Sequence, residues 1–159
     1  MSIPCLRPLP ASGFPAWLEG AIARLADYLQ ASGRAAAAQA LDQSRRTHGE
    51  LLPLGLHSPG HQLFEILDPD GQAVGQAWLH LGPTGRAHLY DLFIEPLRRR
   101  EGHARRALQA LLAEAARQGA GHLGLNVLAA NEAALSLYRQ LGFQVHSLQL
   151  SCPLPRQDS

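Results

Sequence analysis

Ile94-Glu95-Pro96-Leu97-Arg98-Arg99-Arg100-Glu101-Gly102-His103-Ala104 joins two segments of opposite periodicity. Upstream, residues 86–94 read as a strand. Downstream, Ala104, Ala107, Leu108, Leu111, Leu112 and Ala115 recur at i, i+3, i+4, with Arg105, Arg106, Gln109, Glu114 and Arg117 on the other face and Gly119 as a stop. The chain must therefore turn tightly from a strand into an amphipathic helix. Gly102 and Ala104 carry little or no side chain, so an anion could reach the unpaired N–H groups of the first helical turn, where the helix dipole also favours negative charge. Arg98, Arg99, Arg100 and Arg105 would add charge-assisted hydrogen bonds. An arginine run by itself equally describes a solvated basic turn. Its position counts for more, because anion sites in sheet proteins gather where a strand hands over to a helix N-terminus.

Working outward, residues 62–67, 72–81 and 86–94 read as three strands separated by the turns Asp68-Pro69-Asp70-Gly71 and Gly82-Pro83-Thr84-Gly85, an antiparallel meander. Residues 14–31 place Trp17, Ala21, Leu25, Tyr28 and Leu29 at helical spacing, and the Ala-rich stretch 34–47 reads as a second helix. Between them and the meander, residues 51–60 hold two prolines and two glycines, which interrupt every periodicity. They read as an apolar loop that its four leucines fold onto the core. After the third helix come a strand at 122–128, a helix at 131–141 stopped by Gly142, and a last strand at 143–150. This order predicts an α/β fold, one layer of mixed and mostly antiparallel sheet with helices on its faces.

Composition bounds what such a fold can do. A chain of 159 residues suits one domain, and 46% hydrophobic against 17% charged residues argues for a packed core. We take residues 1–159 as a single unit, with 14–49 as N-terminal helices, 61–94 as the strands and 95–154 as the ligand-binding half. Fourteen basic residues oppose thirteen acidic ones, so no general field attracts nucleic acid or a membrane. Every basic residue is Arg, which excludes a lysine nucleophile or Schiff base. Cys5, Cys152 and the scattered histidines show no metal-ligand spacing, so no metal is expected. No leader or apolar span is legible, which leads us to expect a reducing cytoplasm.

Arg99-Arg100-Glu101-Gly102-His103-Ala104 resembles the Q/R-x-x-G-x-G/A signature of the GNAT acetyltransferase superfamily. A second family block follows: Leu125-Asn126-Val127 on a strand, Asn131 at a helix start, then Ala134, Leu137-Tyr138 and Leu141-Gly142-Phe143. Leu51-Leu52-Pro53, Gly55-Leu56, Pro59 and His61 resemble a subgroup of small bacterial members. The resemblance covers residues 51–154. It implies central strands splayed apart to bind acyl-CoA, with acetyl-CoA as cosubstrate.

By the same resemblance, Arg99, Arg100, Gly102, His103, Ala104 and Arg105 bind the pyrophosphate. The main chain of Phe93 and Ile94 pairs with pantetheine, and Asn126 and Asn131 lie on the cofactor side. Tyr138 is implied as the general acid that meets the departing thiolate. Asp91 is our choice of base for the amine proton, with Tyr90, His88 or a water relay as alternatives. The implied reaction is direct acetyl transfer in a ternary complex to a primary amine on a small molecule or peptide. The alternative is a non-catalytic acyl-CoA-binding or sensing protein of the same fold. The resemblance also admits a homodimer.

Overall fold

The computed structural model describes residues 5–157. Among them run β1 (Leu6–Pro8), α1 (Phe14–Ala31), α2 (Ala37–Leu51), β2 (His61–Leu67), β3 (Ala73–Leu81), β4 (Arg86–Ile94), α3 (His103–Arg117), β5 (His122–Leu125) and α4 (Glu132–Gln140). The strands form one mixed sheet in the order β1-β2-β3-β4-β5. The first four pair antiparallel, and β5 joins β4 in parallel.

The meander is fixed by its turns. Asp68 Oδ1 accepts the N–H groups of Asp70 and Gln72, each at 2.9 Å, and the turn closes with Gly71 at a φ of 85°. The pairing of β3 with β4 is capped by Gly82 N–H donating to Arg86 O at 2.9 Å. Strand alternation then sorts the side chains onto two faces. Ile66, Val74, Ala77, Leu79, Leu89 and Ile94 pack against Ala107, Leu108 and Leu111 of α3. Leu63 and Trp78 face the other way, onto Trp17 and Ala21 of α1 and onto Leu52. Each fully buried leucine or isoleucine contributes roughly 1.5–3 kcal/mol. The sheet is therefore held from both sides, with β3, the middle strand, contributing to both cores.

Four expectations change. First, α2 starts at Ala37 because the amides of Arg34 and Ala35 both turn back to Leu29 O, at 2.9 and 3.1 Å, and so belong to the end of α1. Second, β1 adds a three-residue edge strand that the sequence reading left out. Third, β5 stops at Leu125 rather than 128. Fourth, residues 143–150 form no strand: Val145, Leu148 and Leu150 are exposed, and Gln149 instead bonds Arg34 and Ser32 beside the α1–α2 turn. In the loop 51–60, Leu52 is buried and Leu51 and Leu56 pack beside it, whereas Leu54 faces solvent.

Candidate active site

The β3–β4 ladder matches Trp78 with Asp91 and then Leu79 with Leu89, so Tyr90 is the extra residue of a β-bulge. The bulge turns two consecutive side chains to the α1 face. The Tyr90 ring stacks on Trp78 with centroids 4.6 Å apart, and Asp91 meets Arg24 of α1. On its other edge, β4 pairs with β5 from Arg86↔His122 to Leu89↔Leu125, and there the pairing ends. Strand β4 continues five residues further, to Ile94. The two strands thus form a V that closes at the bulge and opens toward α3.

Hydrogen-bond alternation decides which backbone groups face that opening. Glu95 N–H donates to Val74 O at 2.8 Å, so along β4 the groups bonded to β3 are those of Glu95, Phe93 and Asp91. The N–H and C=O of Leu92 and the N–H of Ile94 are left for the opening, while Ile94 O accepts from Arg99 Nε at 2.9 Å. Of the two residues that the sequence reading named here, alternation turns the main chain of Ile94 toward the opening and that of Phe93 toward β3. The Phe93 ring lies under two guanidinium groups, Arg24 at 4.4 Å and Arg99 at 5.6 Å from its centroid.

At the open end, Gly102 precedes α3 with a φ of 83°, a left-handed backbone that glycine adopts without penalty. No side chain caps the helix. The first bond at its mouth is Arg106 N–H to Gly102 O at 3.2 Å, so the amides of His103, Ala104 and Arg105 have no acceptor in the helix. A Cβ built on Gly102 would meet no atom within 4 Å. Open space, unpaired donors and the positive end of a 15-residue helix coincide there. These are the properties a diphosphate needs, and the residues present fit the group the sequence implied.

The arginines divide their duties. Arg98 pairs with buried Asp68 at 2.9 Å and with Glu101 at 3.0 Å, which holds Asp68 below the usual carboxylate range and ties the turn to the β2–β3 loop. Arg106 donates to Leu67 O at 2.9 Å. These two are structural. Arg99 donates to Ile94 O at 2.9 Å while remaining exposed, Arg105 bonds Gln140 at the surface, and Arg100 is exposed with a φ of 65°. His103 is 5% exposed, with its ring held between Glu101 and Arg106, so it offers the site its amide and not its imidazole.

On the far side of the opening, α4 begins with Asn131, whose Oδ1 accepts Ala134 N–H at 3.3 Å. That is an ordinary N-cap. Asn126 lies exposed just beyond β5. Tyr138 packs against the α3-side core with its ring 5.5 Å from Phe143, and burial raises its hydroxyl pKa above the ordinary tyrosine value. Its hydroxyl has no hydrogen-bond partner among the described residues. A neutral, proton-bearing phenol is therefore available beside the sheet.

The α1 face of the V holds groups that sequence reasoning missed. Both carboxylate oxygens of Asp91 are taken by the Arg24 fork, at 3.0 and 2.6 Å. Trp78 Nε1–H donates to His61 Nδ1 at 2.9 Å, which fixes the tautomer. Burial and the neighbouring His80, stacked at 4.2 Å, push the His61 pKa down to about 4. His88 meets the Tyr90 ring edge-on at 4.4 Å, and burial, then His80, lowers its pKa as well. No local signal could have found the Arg24–Asp91 pair, whose members lie 67 positions apart. Among the described residues, no group of three or more His, Cys, Asp or Glu is placed to hold a metal ion, and no helix is long and apolar enough to cross a membrane.

Comparison with known proteins agrees with this geometry. Residues 23–143 match the model of the Acetyltransferase (GNAT) family. YycN of Bacillus subtilis, named an uncharacterized N-acetyltransferase, is 35% identical over 111 residues, 68% of this chain and 71% of its own length. YdgE of the same organism, with the same designation, is 30% identical over 115 residues, 70% of this chain and 73% of its own. The crystal structure of YycN matches with a TM-score of 0.88 at 30% identity, covering 95% of this chain and 98% of that one. A Pyrococcus furiosus structure matches with a TM-score of 0.65 at 18% identity, covering 94% and 98%, which shows the shared fold. The chain belongs to the GNAT acetyltransferase family, and it is an acyltransferase.

Proposed function

We propose that this enzyme moves the acetyl group of acetyl-CoA directly to a primary amine within a ternary complex. The observation that carries the reading is the coincidence of two features at one end of the sheet. Pairing between β4 and β5 stops at Leu89↔Leu125, and the uncapped first turn of α3 lies where β4 ends. The thioester supplies the activated acyl group; the chain supplies its placement and two proton transfers. The N–H and C=O of Leu92 and the N–H of Ile94 offer backbone partners to an extended amide-bearing arm. The amides of Gly102, His103, Ala104 and Arg105, with the side chains of Arg99, Arg100 and Arg105, receive the diphosphate. Asn131 and Asn126 border the same opening from the α4 side.

An amine attacks a thioester only as the free base, so a proton must leave it. Asp91 was the sequence candidate, but in the fold both its oxygens already accept from Arg24, so the carboxylate is engaged with α1. His88 favours a second assignment, because its imidazole is held neutral by burial and lines a cavity next to the last β4–β5 pair. We therefore assign His88 as proton acceptor and Asp91 as the partner that orients Arg24. Tyr138 is the acid for the thiolate, since its raised pKa keeps the proton available. The two unpaired cysteines fit a reducing cytoplasm. The alternative of a non-catalytic acyl-CoA-binding protein is disfavoured by Tyr138, whose unpartnered hydroxyl serves no evident structural end.

A free-thiol assay of CoA release with a panel of amines tests the reading. Tyr138→Phe should lower kcat by about 10²-fold or more while leaving the CoA dissociation constant within about twofold. Unchanged kcat in that variant removes Tyr138 from the role.

A further inference from the structure

A cavity of about 400 Å³ lies on the α1 face at the closed end of the V, lined by His80, Arg86, His88, Tyr90, His122 and His146 among others. His88 pairs with Gly124 one residue before the last β4–β5 pair, so the cavity reaches the point where the strands separate. A Cβ on Gly124 would stand in van der Waals contact with His88 Nδ1, at 3.8 Å, so the imidazole lies directly over β5 there. Four imidazoles and one guanidinium line the space, and no carboxylate does. The carboxylate that shares this sheet face, Asp91, is already engaged by Arg24. A diamine or polyamine entering here would carry a second ammonium past the Arg86 guanidinium with no carboxylate in the lining to balance it. A carboxylate would meet a guanidinium and imidazole donors.

We propose that this cavity is the acceptor pocket and that it takes small amino acids, primary amines carrying a carboxylate within a few atoms, with Arg86 as the group that anchors the carboxylate. The proposal rests on the acetyl-transfer reading above and names the substrate class of that site. Arg86 specifies the acceptor without joining the proton transfers. Its side chain is exposed at the start of β4, while its main chain carries the turn contact with Gly82, so Arg86→Gln should fold normally.

The probes are β-alanine, β-alaninamide and putrescine, offered to the full chain saturated with CoA or acetyl-CoA. Two-dimensional NMR of the imidazole C–H signals should show His88 and His122 shifting with β-alanine, with little change for the amide or the diamine. In the thiol-release assay, kcat/KM counted per free-base amine should favour β-alanine over β-alaninamide by about tenfold, and Arg86→Gln should bring that ratio close to one through KM. Equal shifts for all three probes, no shift with β-alanine, a preference for putrescine, or a preference that survives Arg86→Gln would each overturn the proposal. Failure of CoA itself to bind would instead sink the acetyl-transfer reading, so the two are told apart before any amine is added.

Discussion

Gly75 is buried on β3, opposite Ile94, at the stretch of β4 that borders the V. A Cβ added there would stand 2.1 Å from Phe93 O, 3.0 Å from Ile94 Cδ1 and 3.1 Å from Ile94 Cα. Two of these atoms are backbone and cannot rotate aside, so the methyl group of Gly75→Ala must push β4 away from β3. Overpacking of this kind costs about 1–3 kcal/mol, and for a chain of this size each kcal/mol moves Tm by about 2–4 °C, giving a fall of about 2–12 °C. Gly49, within α2, is the control, because a Cβ there meets no atom within 4 Å. Gly49→Ala should raise stability by about 0.5–1 kcal/mol through the ordinary helix preference, or about 1–4 °C. Thermal unfolding followed by circular dichroism reads both. Gly75→Ala should also weaken acetyl-CoA binding, since the displaced strand is the one whose backbone borders the V. A Tm within 1 °C of the parent for Gly75→Ala would refute the argument that β3 and β4 touch too closely there for a side chain.

Other predictions concern the groups on the α1 face. Asp91→Asn should lower stability by about 1–3 kcal/mol, because it weakens the fork with Arg24, yet keep the acidic limb of the kcat/KM pH profile. His88→Gln should abolish that limb; the reverse pattern would return the base role to Asp91. The His61 pKa is depressed from 6.5 to about 4, and those of His48 and His88 also lie below 6.5. In that window the unfolded chain binds protons that the folded chain refuses, so stability is fully present above about pH 6.5 and falls as pH drops. The urea midpoint should be lower at pH 5 than at pH 7.5, and an equal or higher midpoint at pH 5 would contradict the buried, neutral placement of these rings. Asn131→Ala removes the α4 cap and should cost about 0.5–2 kcal/mol, visible as a lower urea midpoint.

Much of this fold was legible because local rules coincide with global ones. Helix α1 spans 14–31 as its apolar spacing predicts, and β4 spans 86–94 between Gly85 and the helix-forming run beyond Gly102. Strand β1 was missed because three residues ending in Pro8 give no period to read, and its pairing with Ile66 lies 60 positions away. The apolar run at 143–150 carried a strand's composition, but composition does not supply a partner. Its polar groups find the α1–α2 turn instead. In the site, the Gly102 turn and Asn131 could be picked out because each answers a local chemical demand, whereas Tyr138 was named only through the family resemblance. The division of labour among the arginines could not, since it depends on Asp68, Leu67 and Ile94 brought near by the sheet. The Arg24 clamp on Asp91 was hidden for the same reason.

The central claim is that the uncapped first turn of α3 holds the diphosphate of coenzyme A. Isothermal titration of acetyl-CoA into the parent protein and into Gly102→Glu tests it most directly, with a thermal melt to confirm that the variant is folded. The account predicts one site in the parent and binding at least about tenfold weaker, 1.4 kcal/mol or more, in the variant. Equal affinity in the two proteins would contradict it.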